Sequence, residues 1–153
     1  MEVTLCTFDA GFLEVSWNWL QDEELSKLVD APLTTKEQQQ NWFENLPKRT
    51  DYYIWGVLYD IKPVGVTGIK NIKNDCGEYW GYVGDKSYWG KGVGSSMMQS
   101  AIAKGLSLQL KYLTLKVLRI NQRAINLYQK HGFVETKADE TYLLMEKQIY
   151  QEI

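Results

Sequence analysis

Trp89-Gly90-Lys91-Gly92-Val93-Gly94 is the stretch on which the fold turns. It stands between a strand-like segment and a run with helical spacing. Glycines at alternate positions free the backbone for φ > 0 and for close approach to a ligand. Amides exposed at a helix start form an anion site, reinforced by the helix dipole. Lys91 adds a positive charge, and Ser95 extends the row of amides. The same glycines would also suit a flexible turn. Spacing excludes two familiar phosphate loops. A Walker loop needs four residues between its glycines, then Lys and Ser or Thr. Here five residues separate Gly84 from Gly90, and Lys91 is followed by Gly92. A dinucleotide-binding fingerprint needs glycine where Ser95 stands.

Downstream, residues 93–106 carry Val93, Met97, Met98, Ala101, Ile102 and Leu106 on one helical stripe, with Gly105 near the end. Residues 112–118 read as a strand. Residues 121–130 form a short helix with Ala124, Ile125, Leu127 and Tyr128 on its apolar side, ended by Gly132. Residues 133–136 and 142–147 are closing strands. Upstream, residues 78–83 alternate: Glu78, Trp80 and Tyr82 face one way, Tyr79, Gly81 and Val83 the other. Residues 52–59 and 64–72 are further strands, with turns at Asp60-Ile61-Lys62-Pro63 and Asn74-Asp75. Residues 3–8 are a first strand, and 9–28 are helical in two pieces, with Phe12, Leu13, Trp17 and Leu20 on one face. Ala31-Pro32-Leu33 breaks the pattern. Thr35 and Gln38 then make a capping box for a helix through Trp42 and Phe43 that ends before Pro47. The expected architecture is α/β: a mixed sheet with helices on both faces, in one domain over residues 1–153.

The formal net charge of -2 argues against a nucleic-acid binder held by bulk charge, so an anionic ligand needs a local device. Six Trp and ten Tyr supply either stacking surfaces or core. Cys6 and Cys76 have no metal-ligand spacing and read as reduced structural thiols, and His131 is the single histidine. A histidine triad is thereby set aside, and no metal is expected. Met1-Glu2-Val3-Thr4 lacks a signal-peptide pattern, and no run approaches the roughly 18 apolar residues of a membrane span. The chain is read as cytoplasmic, without a membrane partner.

With Trp89 in the place of its usual Gln or Arg, the loop resembles the phosphate loop of the GNAT family of N-acetyltransferases. A second segment, Asn121-Gln122-Arg123-Ala124-Ile125-Asn126-Leu127-Tyr128-Gln129-Lys130-His131-Gly132-Phe133, resembles the family's Asn-x-x-Ala-x-x-x-Tyr-x-x-x-Gly-Phe stretch. The Trp89 variant looks like the branch that acetylates protein N-termini and amino sugars. The resemblance implies the GNAT fold: a mostly antiparallel sheet splayed at one parallel strand pair.

It also implies acetyl-CoA as acyl donor. The pantetheine arm would lie against backbone near Tyr82 and Val83, and the pyrophosphate on Trp89, Gly90, Lys91, Gly92, Val93, Gly94 and Ser95. Asn121 would bond the pantetheine end, or cap its helix. Tyr128, a core tyrosine from its pattern alone, becomes the general acid for the departing thiolate. Glu78 becomes the general base, with a surface carboxylate as the other reading. Trp17, Trp80 and Glu78 are expected at the acceptor, and Asp22, Glu23 and Glu24 would suit an amine. Trp17-Asn18-Trp19-Leu20-Gln21-Asp22 resembles acetyltransferases that modify a nucleotide-linked amino sugar for surface polysaccharide. Protein N-terminal acetylation and a non-catalytic acyl-CoA sensor are the alternatives, and a homodimer is left open.

Overall fold

The computed structural model describes residues 2–30 and 35–151. The expected break at Ala31-Pro32-Leu33 lies outside them. One seven-stranded sheet runs through the molecule in the order β1-β2-β3-β4-β5-β7-β6. The strands are β1 (Val3–Thr7), β2 (Tyr53–Tyr59), β3 (Lys62–Lys73), β4 (Cys76–Val83), β5 (Tyr112–Leu118), β6 (Val134–Ala138) and β7 (Tyr142–Gln148). The helices are α1 (Ala10–Leu20), α2 (Glu23–Leu28), α3 (Lys36–Asn45), α4 (Val93–Ser107) and α5 (Gln122–Lys130).

Local chemistry sets most boundaries. Asp9 and Asp22 cap α1 and α2 through side-chain oxygens, and Thr35 with Gln38 completes the capping box of α3. The α3 coil stops at Asn45, and Pro47 falls in the 3-10 turn that follows. The β2–β3 turn is tighter than its sequence suggests. Asp60 takes φ of 54°, and Lys62 and Pro63 already belong to β3. Leu58 pairs with Pro63 at a register shift, where a missing N–H is tolerated.

The sheet buries both faces. Against one lie α4 and α5, joined to it by Ile69, Tyr79, Met98, Leu113, Leu115, Ile125, Tyr128, Phe133 and Met145. Each such side chain contributes roughly 1.5–3 kcal/mol when fully buried. Against the other face lie α1 and α3, through Phe8, Phe12, Leu13, Val66, Trp42 and Phe43. Two helical expectations shift in detail. Leu106 is 46% exposed, because Gly105 carries the contact instead: a Cβ there would stand 3.0 Å from Ile149. The stop after α4 is made by Gln109 at φ of 63°.

The seam between β4 and β5 positions everything that follows. This is the sheet's parallel pair, and it holds only at Cys76↔Tyr112, Gly77↔Leu113 and Glu78↔Thr114. Beyond Glu78 the two strands part. β4 continues to pair with β3 and β5 with β7, so 79–83 and 115–118 face each other unpaired across a wedge.

Candidate active site

The wedge has a polar lining of backbone. Gly84 N–H donates to the Val64 carbonyl at 2.8 Å, across β3. Strand alternation therefore turns the N–H and C=O of Val83 toward the open side. The Val83 carbonyl is already used: the Trp89 indole N–H donates to it at 2.8 Å. The signature position thus holds a side chain that latches the loop onto the end of β4.

At the same end, α4 begins without a side-chain cap. Asp9, Asp22, Thr35 and Asn121 cap the other helices, whereas α4 starts at Gly92, whose φ of 82° only glycine adopts readily. The first helical bond runs from Ser96 N–H to the Gly92 carbonyl, so the amides of Val93, Gly94 and Ser95 point forward along the axis. A Cβ built on Gly90 or Gly92 meets nothing within 4 Å, so the loop is open at both glycines. This is a cradle shaped for an anion. Lys91 holds its ammonium 5.6 Å from the centre of the Tyr88 ring, and Tyr88 packs against Tyr59.

Tyr128 lies at the base of the wedge. Its ring meets Tyr79, the first β4 residue past the parallel pairing, at 6.1 Å edge to face, and Phe133 at 6.0 Å. The residue is 9% exposed, and its hydroxyl makes no hydrogen bond among the described residues. Burial pushes the phenol up to about 12, so it holds its proton at neutral pH. That is the state a proton donor needs.

On the opposite face of β4, Glu78, Trp80 and Tyr82 share one side as alternation requires. Glu78 is held by Lys70 at 3.7 Å and by the Asn71 amide at 3.3 Å. Trp42, Tyr52, Trp80 and Tyr82 follow one another at centroid spacings of 6.4, 6.3 and 6.4 Å, the first two pairs edge to face and the last stacked. Burial raises both Tyr52 and Tyr82, so both stay neutral phenols. The indole nitrogens of Trp17 and Trp80 are buried without a hydrogen-bond partner. Tyr52 approaches Trp80 without completing a bond.

Several expected residues are placed differently. Trp17 shares no ring contact with Trp80 among the described residues; it sits beneath Lys36 of α3, whose ammonium is 4.9 Å from its ring. Asp22 and Glu24 are engaged by Lys86 at 2.9 and 2.7 Å, and Glu23 pairs with Lys27 at 3.0 Å. Asp22 and Glu24 fasten α2 to the loop after β4, Glu23 pairs within α2, and none of the three is free for an amine. Asn121 takes its capping role: its oxygen accepts from Ala124 N–H at 3.3 Å and its amide donates to the Leu28 carbonyl at 3.0 Å. Cys6 and Cys76 are free, and burial holds both thiols above their ordinary range, which suits structural thiols better than nucleophiles. Among the described residues no group of three or more His, Cys, Asp or Glu gathers as a metal site. No helix there is long and apolar enough to cross a membrane.

Arg123 and His131, which had no expected role at the site, also meet here: Arg123 lies over the Trp89 ring at 5.2 Å, and His131 Nε2 is 2.7 Å from Ser95 Oγ. Tyr79, fully buried beside Tyr128, and Trp19, against which a Cβ on Gly84 would clash, complete the walls.

A sheet opened at its parallel pair, with an uncapped helix at the mouth, fits an acyl-CoA-dependent N-acetyltransferase, the class to which the family match assigns the chain. The chain belongs to the acetyltransferase (GNAT) family, whose model matches residues 14–133. Acetyl-CoA is its acyl donor. Solved structures share the fold at low identity. A domain from Methanocaldococcus jannaschii is 19% identical with a TM-score of 0.85, over 96% of this chain and 98% of that one. The Campylobacter jejuni N-acetyltransferase PseH in complex with acetyl coenzyme A is 21% identical with a TM-score of 0.77, over 96% and 99%. The spermidine N-acetyltransferase from Vibrio cholerae in complex with CoA and spermine is 17% identical with a TM-score of 0.88, over 95% of each chain. No curated protein sequence matches the chain.

Proposed function

We propose that this enzyme acetylates the primary amine of a nucleotide-linked amino sugar, by direct attack on acetyl-CoA. The observation that carries the acceptor class is the aromatic ladder Trp42-Tyr52-Trp80-Tyr82, which flanks Glu78 and includes an unpartnered indole N–H at Trp80. Ring faces suit a sugar or a base, and a buried donor without a partner suits a hydroxyl or carbonyl oxygen of the ligand.

The step needs few groups. The amine nitrogen forms a bond to the thioester carbon, and the carbon–sulfur bond breaks. Tyr128 delivers its proton to the departing thiolate. Glu78, directly or through water, takes the proton lost by the amine. The Val83 N–H on the open edge of β4 would serve the carbonyl oxygen, and the amides of Val93, Gly94 and Ser95 the pyrophosphate.

A protein N-terminus would need a groove open at both ends. The Lys86 clamp to Asp22 and Glu24, with Trp19 packed on Gly84, narrows one end and favours a small acceptor. A CoA sensor would have no use for the unbonded phenol of Tyr128. The test is thiol release from acetyl-CoA with a panel of nucleotide amino sugars, peptides, polyamines and aminoglycosides. Fastest release with nucleotide amino sugars is expected. Fastest release with any other amine class overturns the acceptor assignment. Tight CoA binding with no release from any amine overturns the catalytic reading.

A further inference from the structure

Position 89 carries no group able to hold a phosphate. The Trp89 N–H is committed to Val83, and an indole has no second donor. The nearby cations divide into three cases. Lys86 is neutralised by Asp22 and Glu24. Lys91 rests on the Tyr88 ring at 5.6 Å. Arg123 has no ion pair or side-chain hydrogen bond among the described residues, and its guanidinium lies over the Trp89 ring at 5.2 Å.

Arg123 belongs to a face of α5 directed at the loop. Residues 123, 127 and 131 follow at four-residue steps, on one side of the helix. Arg123 covers Trp89, Leu127 Cδ2 lies 3.2 Å from where a Cβ on Gly94 would be, and His131 meets Ser95. This face therefore runs beside the loop and the first turn of α4, next to the free amides. A guanidinium lying over an indole keeps its N–H edges available for bidentate contact with an anion.

We infer that Arg123, shelved on Trp89, supplies the cationic contact to the phosphates of coenzyme A that position 89 does not. The inference rests on the reading of the glycine loop as the pyrophosphate cradle. It also gives Trp89 a purpose beyond packing, as the surface that holds the guanidinium in place. Pyrophosphate and 3′-phosphate share the chemistry that Arg123 would recognise.

The experiment is calorimetric titration of acetyl-CoA and 3′-dephospho-acetyl-CoA into wild type, Arg123→Gln, Arg123→Lys and Gly92→Val. Arg123 is exposed and unbonded, so its variants should melt like the wild type. Loss of a charge-assisted hydrogen bond predicts a Kd for Arg123→Gln weaker by about tenfold to about a hundredfold, with partial recovery in Arg123→Lys. A deficit retained with the dephospho donor assigns the contact to the pyrophosphate; a deficit lost with it assigns the 3′-phosphate. Either result supports the inference. If Arg123→Gln binds acetyl-CoA within about twofold of wild type while Gly92→Val is weakened, Arg123 is overturned and the cradle stands. If Gly92→Val binds as well as wild type, the cradle reading fails and takes this inference with it.

Discussion

Replacing Gly92 by valine separates what the loop does for the fold from what it does for the ligand. Gly92 starts α4 with φ of 82° and ψ of 4°, and a Cβ there would touch nothing within 4 Å. The cost to the ligand-free protein is therefore conformational. Holding an L-residue in the left-handed region costs about 1–2 kcal/mol, with a β-branched side chain at the upper end. For a chain of this size that is a fall in melting temperature of about 2 to 8 °C. Gly92→Asn should fall less, because asparagine tolerates this region. Binding should suffer more than stability. A loop that relaxes to negative φ turns away the amides of Val93, Gly94 and Ser95, and an added side chain intrudes on the space before them. Acetyl-CoA affinity should drop by at least about tenfold. Circular dichroism melts and calorimetry on wild type, Gly92→Asn and Gly92→Val read both quantities. A valine variant that melts within about 1 °C of wild type and binds equally would refute the reasoning.

Tyr128→Phe should lower turnover by about tenfold to a thousandfold and leave the Kd for acetyl-CoA unchanged; unaltered turnover in a folded variant removes the general acid. Glu78→Gln should lower turnover at neutral pH by about tenfold or more with the Kd for acetyl-CoA unchanged, and unaltered turnover would assign that proton to solvent. His131 is held below its ordinary range by burial first, then by Lys130 and Lys147, while Ser95 faces it from α4. The unfolded chain therefore binds this proton before the folded one as pH falls. The stability contribution is complete above the ordinary histidine value of about 6.5 and lost below it, toward the depressed folded value. His131→Asn should flatten the loss of melting temperature between about pH 7 and pH 5; an equal loss in both proteins would contradict this.

What was legible in the sequence was local or periodic. The alternation of Glu78 to Val83, the capping box at Thr35 and the glycines before α4 each express chemistry within a few residues. The splay between β4 and β5 entered only through the resemblance, because nothing in 79–83 or 115–118 taken alone forbids continued pairing. Partners distant along the chain escaped. Asp22 and Glu24 look available for an amine until Lys86 is folded against them, and the Asn121 amide looks free until the end of α2 is beside it. The seat of Arg123 on Trp89 was hidden for the same reason: one residue begins the glycine loop and the other lies in the first turn of a later helix. Leu106 misled because a helical stripe gives no sign of where the sheet beneath it stops, and Gly105 makes the closer approach.

The wedge between β4 and β5 also bears on how long the protein survives. A sheet left incomplete at its centre lacks backbone pairs that a strand-like guest would supply, and such a guest has no place to bind on the unfolded chain. Its stabilisation follows mass action, about 2.7 kcal/mol when free ligand stands at a hundred times its Kd. If the pantetheine arm fills the wedge, the folded population is coupled to the supply of acyl donor. A cell poor in acetyl-CoA would then hold an enzyme that is not merely idle but more readily unfolded and degraded.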